Sequence, residues 1–396
     1  MKRPRYELAQ IIRDYGQEFV KNHPQPAHHL RCLQALAQCR TATLGGHVDQ
    51  CESCGHKRIS YNSCRNRHCP KCQGLAQERW KRARESDLLD TDYFHLVFTL
   101  AHQLNPLCIA HPKLIYDLLF QAAWQTIACF ADDPKYLGAK TGMTAILHSW
   151  GQNLSLHPHI HCILPGGGLS KQGKWKRAKG RGKFLFPVKA MSKVYRAKFV
   201  ADLRKLWKAG DLTDLGVEGQ PSTESDFQGL CDCLFTKSWV VYAKRPFAGP
   251  EQVIQYLARY THRIAISNHR ISKLTKGKVS FQVKDYRKGG KKKILSLEPN
   301  EFLRRFCLHI LPPRFVRIRH FGIMAPNQKR LALQKAREEL GQEACKDRPK
   351  LSWQELLKLI TGIDIECCPR CKSGQMNSYA ELPRAPPDFS ILPFFS

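Results

Sequence analysis

The chain has 396 residues, long enough for two or three domains, and a formal charge of +31 from 64 Lys and Arg against 33 Asp and Glu. So basic a protein meets a polyanion, nucleic acid before anionic membrane. No apolar run approaches the ~20 residues of a membrane span, and the charged MKRPRYELAQ start lacks a secretory core. The expected compartment is the cytoplasm, and 17 cysteines in reducing conditions argue for metal over disulfides.

Residues 5–22 place Leu8, Ile11, Ile12, Tyr15 and Phe19 at helical spacing, and a second helix from Pro26 carries Leu30, Leu33, Leu36 and Ala37 on one side. The segment CESCGHKRISYNSCRNRHCPKCQ follows. Cys51 and Cys54 form one C-x2-C knuckle; Cys69 and Cys72 form another, after a gap of 14 residues. Four thiolates from two such turns make a closed tetrahedral zinc site. Cys39, His47, Cys64 and His68 stand nearby, so the ligand supply suits one zinc ion or two. Arg65, Arg67 and Lys71 lie in the module, with Arg79, Lys81, Arg82 and Arg84 just after it. That surface suits phosphates; a solvated face around a structural zinc is the alternative.

From Tyr93, YFHLVFTL reads as a strand, and Asn105-Pro106 opens a long helix through about Ala131. TGMTAILHSW (141–150) is a second strand. LHPHIHCILPGGGL (156–169) is its expected antiparallel neighbour and carries three alternate histidines, His157, His159 and His161. With period two, His159 and His161 share a face while Ile160 points into the core behind. Two imidazoles so placed can hold one metal ion, or simply be a histidine-rich edge. The three glycines would let another backbone, or a nucleic-acid strand, come close. Strand, helix, strand, strand begins an α+β fold on an antiparallel sheet.

Residues 171–183 hold seven Lys or Arg and no acid, Lys174, Lys176 and Arg177 among them, and read as a flexible basic loop for a nucleic-acid backbone. FLFPV is a short strand, Lys189–Lys208 a basic helix, 210–229 an exposed excursion, and 238–244 another strand. After Gly249-Pro250 a helix places Tyr256 and Tyr260 four apart on one face, flanked by Arg259 and Arg263. A hairpin at 277–297, a helix from Pro299, FVRIRHFG, a polar helix and a Ser352 capping box follow. Cys367-Cys368-Pro369-Arg370-Cys371 is half a zinc site, one that either recruits ligands from elsewhere, Cys345 being a candidate, or binds nothing, and the Pro-rich tail after Gln375 reads as poorly ordered.

Histidines and tyrosines make sense together. Mg²⁺ or Mn²⁺ on the histidines would polarise a phosphodiester, and a tyrosine oxygen could attack phosphorus, leaving a 5′-phosphotyrosine and a free 3′ hydroxyl. A third ligand is required. His148, on the adjacent strand, is the expected one; His157 and Gln152 compete.

HPHIHCILPGGGLS, YLARYTHRIAIS, YNSCRNRHCPKCQ and FVRIRHFG resemble segments of rolling-circle transposases of the insertion-sequence 91 family. The likeness keeps their order and runs from about Pro26 to Cys371. It implies an N-terminal zinc-binding domain, then a histidine–hydrophobe–histidine endonuclease domain that cleaves single-stranded DNA at element ends. It further implies Tyr256 and Tyr260 as nucleophiles and His159 and His161 as the metal pair. The expected division is a helical and zinc-binding unit at 1–90, a catalytic unit at 91–325 and an extension at 326–396. The expected setting is a bacterial nucleoid, and a homo-oligomer stays open. A plasmid replication initiator would use the same chemistry. A non-catalytic zinc-dependent DNA-binding protein would explain the charge and cysteines alone. A zinc hydrolase on the three histidines lacks an evident general base.

Overall fold

The computed structural model describes residues 4–179, 185–244, 252, 265–285, 289–343 and 351–386. Two helices open the chain, α1 (Leu8–Asn22) and α2 (Ala27–Ala37), each burying the apolar face its period predicts. Strands β1 (Gly46–Cys51) and β2 (Lys57–Tyr61) form a hairpin, and α3 (Gln73–Glu85) leaves the second cysteine knuckle. After β3 (Tyr93–Thr99), the expected single helix is two, α4 (Asn105–Ala110) and α5 (Pro112–Asp132). The break falls at His111, with φ −125° and ψ 56°, because a residue before proline is pushed out of the helical region.

The pair β4 (Gly142–Trp150) and β5 (Leu156–Pro165) follows, then a ribbon of β6 (Gly167–Leu169) and β7 (Trp175–Arg177). Leu185 and Phe186 are not a strand: they bend into the core ahead of α6 (Val188–Lys208). Nor is all of 210–229 an excursion. A Thr223/Asp226 capping box starts α7 (Glu224–Thr236), which buries Phe227, Cys231 and Leu234. Next come β8 (Val241–Lys244), β9 (Ile271–Thr275), β10 (Lys278–Asp285), β11 (Lys291–Leu297) and α8 (Pro299–Cys307). The chain continues through β12 (Ile318–Gly322), α9 (Lys329–Leu340) and α10 (Trp353–Thr361). It ends, among the described strands, with β13 (Met376–Leu382), where the tail reads from sequence as poorly ordered.

The fold is α+β. Its centre is a five-stranded antiparallel sheet in the order β12-β4-β5-β3-β8. Alternation sends Phe94, Leu96, Phe98, Leu147, Ile160 and Leu164 to one face, where they pack under α5 and α6. Helix α5 is long and apolar enough to cross a membrane, but it is a core helix with 61% of its apolar window buried inside the protein. The opposite face carries the histidines.

A second apolar body joins distant parts of the chain. Helices α1, α2 and α8 and the sheet β11-β10-β9 share a core that includes Ile12, Phe19, Leu33, Phe281 and Phe302. The third sheet, β13-β1-β2, brings the last strand beside the first. β1 pairs with β13 from Gly46↔Leu382 to Cys51↔Met376.

Candidate metal centre and nucleic-acid cleft

Strand register alone collects three imidazoles. In the β4–β5 ladder His148 lies opposite His159, and His161 is two residues along on the same face. One ring nitrogen from each of His148, His159 and His161 lies within 4.8 Å of the others, a spacing that small rotations close on one ion. His157 is outside this group, but its carbonyl lies 2.7 Å from His159 Nδ1. That bond leaves His159 Nε2 as the ligating nitrogen. Burial holds His159 down to about 4, so it stays neutral, as a metal ligand must, at pH 7.

Sequence reading missed His95. It sits on β3, buried, with Nε2 2.9 Å from His161 Nδ1 and its ring stacked at 5.1 Å. Such a partner fixes the tautomer and orientation of a ligating histidine. The signal was present: with period two, His95 shares its face with Val97, which pairs with His161. Trp150 stacks on His148 at 4.7 Å and fixes that ring too.

The histidines floor a cleft of about 800 Å³. One wall is the loop Gly151–Asn153; another is the β10–β11 hairpin, through Lys284, Asp285 and Lys293. Lys293 and Asp285 are ion-paired at 3.0 Å. The loop is tied from behind. Arg270 donates to the carbonyls of Gln152, Ala265 and Gln282, and Arg305 donates to Asn153 O at 3.1 Å. Leu154 takes a left-handed φ of 62° that buries its side chain in the second core. His309 Nε2 donates to its carbonyl at 3.0 Å. A left-handed leucine costs roughly 1 kcal/mol, which these bonds offset.

Tyr256, Tyr260, Arg259, Arg263 and Cys345 lie outside the described residues. The expected phosphate contacts divide. Arg67 donates to Phe315 O at 2.6 Å, Pro312 O at 2.8 Å and Leu311 O at 3.3 Å, so it braces the chain leading into β12 rather than facing DNA. Lys71 pairs with Glu7 at 2.5 Å and donates to Cys39 O, another internal brace. Arg65 is exposed on a second groove, of about 950 Å³, with Arg79 and Trp353.

The described part of the basic loop, 171–179, is a tight hairpin. Lys174 reaches Glu339 at 3.1 Å, Lys176 donates to Gly138 O, and Arg177 is exposed. The glycines before it admit the protein's own backbone, not a nucleic-acid strand. A Cβ on Gly167 would stand 2.5 Å from Lys176 O, and one on Gly168 2.6 Å from Lys140 O.

Cysteine pairing departs from the spacing-based expectation. Cys51, Cys54, Cys69 and Cys72 do not form one site. Cys69 and Cys72 meet Cys39 and Cys64; Cys51 and Cys54 meet Cys368 and Cys371. In the first group Cys39 Sγ is 3.5 Å from both Cys69 Sγ and Cys72 Sγ, and Cys64 Sγ is 3.7 Å from Cys72 Sγ. A tetrahedron with Zn–S bonds of about 2.3 Å has edges of about 3.8 Å, so this group fits zinc. Mutual hydrogen bonds lower the Cys39 thiol and raise those of Cys64 and Cys69, as four thiols crowded into one group require. His47 and His68, the other nearby candidates, belong to neither group.

Comparison with known proteins agrees with this architecture. A family model described as "Transposase zinc-binding domain" matches residues 11–100, and one described as "Putative transposase" matches residues 142–331. The chain is 41% identical over 381 residues to "Putative transposase y4qJ" of Sinorhizobium fredii, covering 95% of each chain. It is 28% identical over 356 residues to "Transposase for insertion sequence element IS801" of Pseudomonas savastanoi pv. phaseolicola, covering 86% of this chain and 80% of that one. No solved structure matches. With zinc-fitting cysteines, a histidine-floored cleft and this likeness over nearly its whole length, the chain belongs to the insertion-sequence 91 family of transposases, enzymes that act on DNA.

Proposed function

We propose that this transposase nicks and rejoins single-stranded DNA at element ends through a tyrosine nucleophile, in rolling-circle transposition. The observation that carries the reading is the convergence of His148, His159 and His161 on one open cleft. Bound there, Mg²⁺ or Mn²⁺ would polarise a phosphodiester; an all-imidazole set favours Mn²⁺, since Mg²⁺ prefers oxygen. His95 and the His157 carbonyl hold two of the three rings in ligating orientation. Lys284 beside the cleft, with the exposed Arg177 and Arg65, supplies positive charge for the backbone, while Lys174 is spent on its ion pair with Glu339. In this reading residues 91–325 cut DNA while 1–90 and 326–396 help to grip it.

Tyr256 and Tyr260 are the nucleophiles of this reading. The segment that contains them leaves β8, whose Lys244 pairs with His95, and returns at Ala265, whose carbonyl Arg270 ties to the cleft loop. Both anchors are therefore near the cleft. A phenolate oxygen attacks phosphorus in line; the new O–P bond forms as the P–O3′ bond breaks, and the 3′ oxygen leaves as a hydroxyl after taking a proton. The 5′ end stays on tyrosine as a phosphodiester. In the reverse step a 3′ hydroxyl attacks that phosphorus and frees the tyrosine. One bond replaces another, so rejoining needs no outside energy. Phenol has a pKa near 10, and Arg259 and Arg263 bring charge of the sign that favours phenolate.

The test is incubation with labelled single-stranded DNA from the flanks of the gene, with Mn²⁺. A covalent protein–DNA adduct is expected, absent with EDTA. It should vanish in the Tyr256→Phe, Tyr260→Phe double variant; an adduct of wild-type yield in that variant would remove both tyrosines from the mechanism.

A further inference from the structure

The C-terminal knuckle is absorbed by neither the histidine cleft nor the first cysteine group, and it lies outside both regions matched by family models. We propose that Cys51, Cys54, Cys368 and Cys371 form a second zinc site, a structural clasp that fastens the C-terminal segment across the N-terminal ribbon.

The geometry is that of a tetrathiolate centre. Cys51 Sγ lies 3.7 Å from Cys371 Sγ, and Cys54 Sγ lies 3.7 Å from Cys368 Sγ. All four sulfurs fall within 4.8 Å of one another. Tetrahedral zinc sets such edges at about 3.8 Å. The two knuckles are the same turn used twice. In the first, Gly55 N donates to Cys51 O at 3.0 Å with Gly55 at φ 69°. In the second, Lys372 N donates to Cys368 O at 3.0 Å with Lys372 at φ 61°. Backbone amides already point at sulfur, Arg370 N at Cys368 Sγ (3.4 Å) and Gly374 N at Cys371 Sγ (3.3 Å), as thiolate ligands require. Gly374 is forced by this closeness, since a Cβ there would stand 2.5 Å from Cys51 Sγ.

Among the described residues, β13 is held by its backbone ladder with β1 and by polar contacts to Glu52, with little apolar burial behind them. Around the knuckles, the only buried apolar groups among the described residues are Cys51, Cys368 and Met376. A three-stranded sheet without an apolar face is marginal in water, and small domains lacking a core take a metal instead. The clasp has a reach beyond itself. It closes the chain after α10, and α10 packs on α3, which sets Trp353 beside Arg65 and Arg79 in the second groove.

The experiment uses the full chain, loaded with zinc and freed of excess. Two thiolate-bound zinc ions per chain, counted by their release with a thiol-specific mercurial so that zinc on the histidines is left out, are expected, falling to one in Cys368→Ser, Cys371→Ser. Hydrogen exchange supplies the second readout. Amides of 376–382 should be protected in the wild type and lose that protection in the double variant, while β5 amides stay protected and show that the sheet is still folded. A wild type holding one zinc, a double variant holding two, or unchanged protection of 376–382 in that variant would each overturn the clasp. Should the double variant not fold, cobalt settles the matter on the wild type: two equivalents with thiolate charge-transfer absorption are expected, and saturation at one equivalent overturns it.

Discussion

The histidine sheet and the cysteine ribbon are both antiparallel, yet they are ordered by different physics. Behind the histidines, Phe94, Leu96, Phe98, Ile160 and Leu164 are almost wholly out of water, each stabilising the sheet by about 1.5–3 kcal/mol at full burial. In the ribbon the same residue types face solvent: Ile59 is 57% exposed and Tyr379 59%. Lys57 over the Tyr379 ring at 4.1 Å is surface decoration worth about 0.5–1 kcal/mol. An apolar side chain therefore says little by its presence in a strand. What counts is whether a second layer covers it, and over the ribbon the thiolates take that place.

The comparison can be broken most forcefully from the sheet side. Phe98→Ala, deep under Tyr195, should lower unfolding free energy by about 3–5 kcal/mol with zinc content unchanged; a urea midpoint near wild type would refute the layered account. Next in size is acid. Burial holds His309 down to about 4 from its usual 6.5. Between those values the unfolded chain binds a proton that the folded chain refuses. Stability is thus complete above pH 6.5 and falls as pH drops toward 4, by up to about 3 kcal/mol. Urea melts with chelator present, so that thiolates hold no metal, should show this slope, and His309→Gln should make it shallower, His29, His159 and His320, which burial holds down alike, keeping the remainder; an equal slope in both would sink the assignment.

A smaller effect sharpens the role of His95. His95→Gln should weaken Mn²⁺ binding at the histidines by about 10–100-fold without moving zinc stoichiometry, as read by calorimetric titration; unaltered affinity would demote His95 to packing. The smallest effect is the counterpart of the first. Ile59→Thr, in an uncovered strand, should change stability by no more than about 0.5 kcal/mol, and a loss near that of Phe98→Ala would erase the distinction between the two sheets.

Much of the central sheet could be read from the sequence because its signals are local. Period two fixed the faces of β4 and β5, and register then put His148 opposite His159. The helix break at His111 was equally local, in Pro112, but a continuous apolar run masked it. α7 was overlooked because polar composition outweighed a capping box and the spacing of Phe227, Cys231 and Leu234. The cysteine partners were beyond reach for another reason. Knuckle spacing states that a pair of ligands exists, not which other pair it meets, and the second partner of Cys54 is 314 residues away. β13 was lost with it, since a strand held by its neighbour's metal site needs no apolar pattern of its own.

That separation has a consequence during synthesis. The thiols at 39, 64, 69 and 72 leave the ribosome together, whereas Cys54 waits 314 residues for Cys368. At about 5–20 residues per second this is roughly a quarter of a minute to a minute. Alkylating stalled chains short of Cys368 would reveal which thiols are protected meanwhile. Throughout the wait a nascent chain holds two orphan thiols beside a complete set, and so must resist, or later undo, the local four-cysteine ring that adjacent knuckles invite.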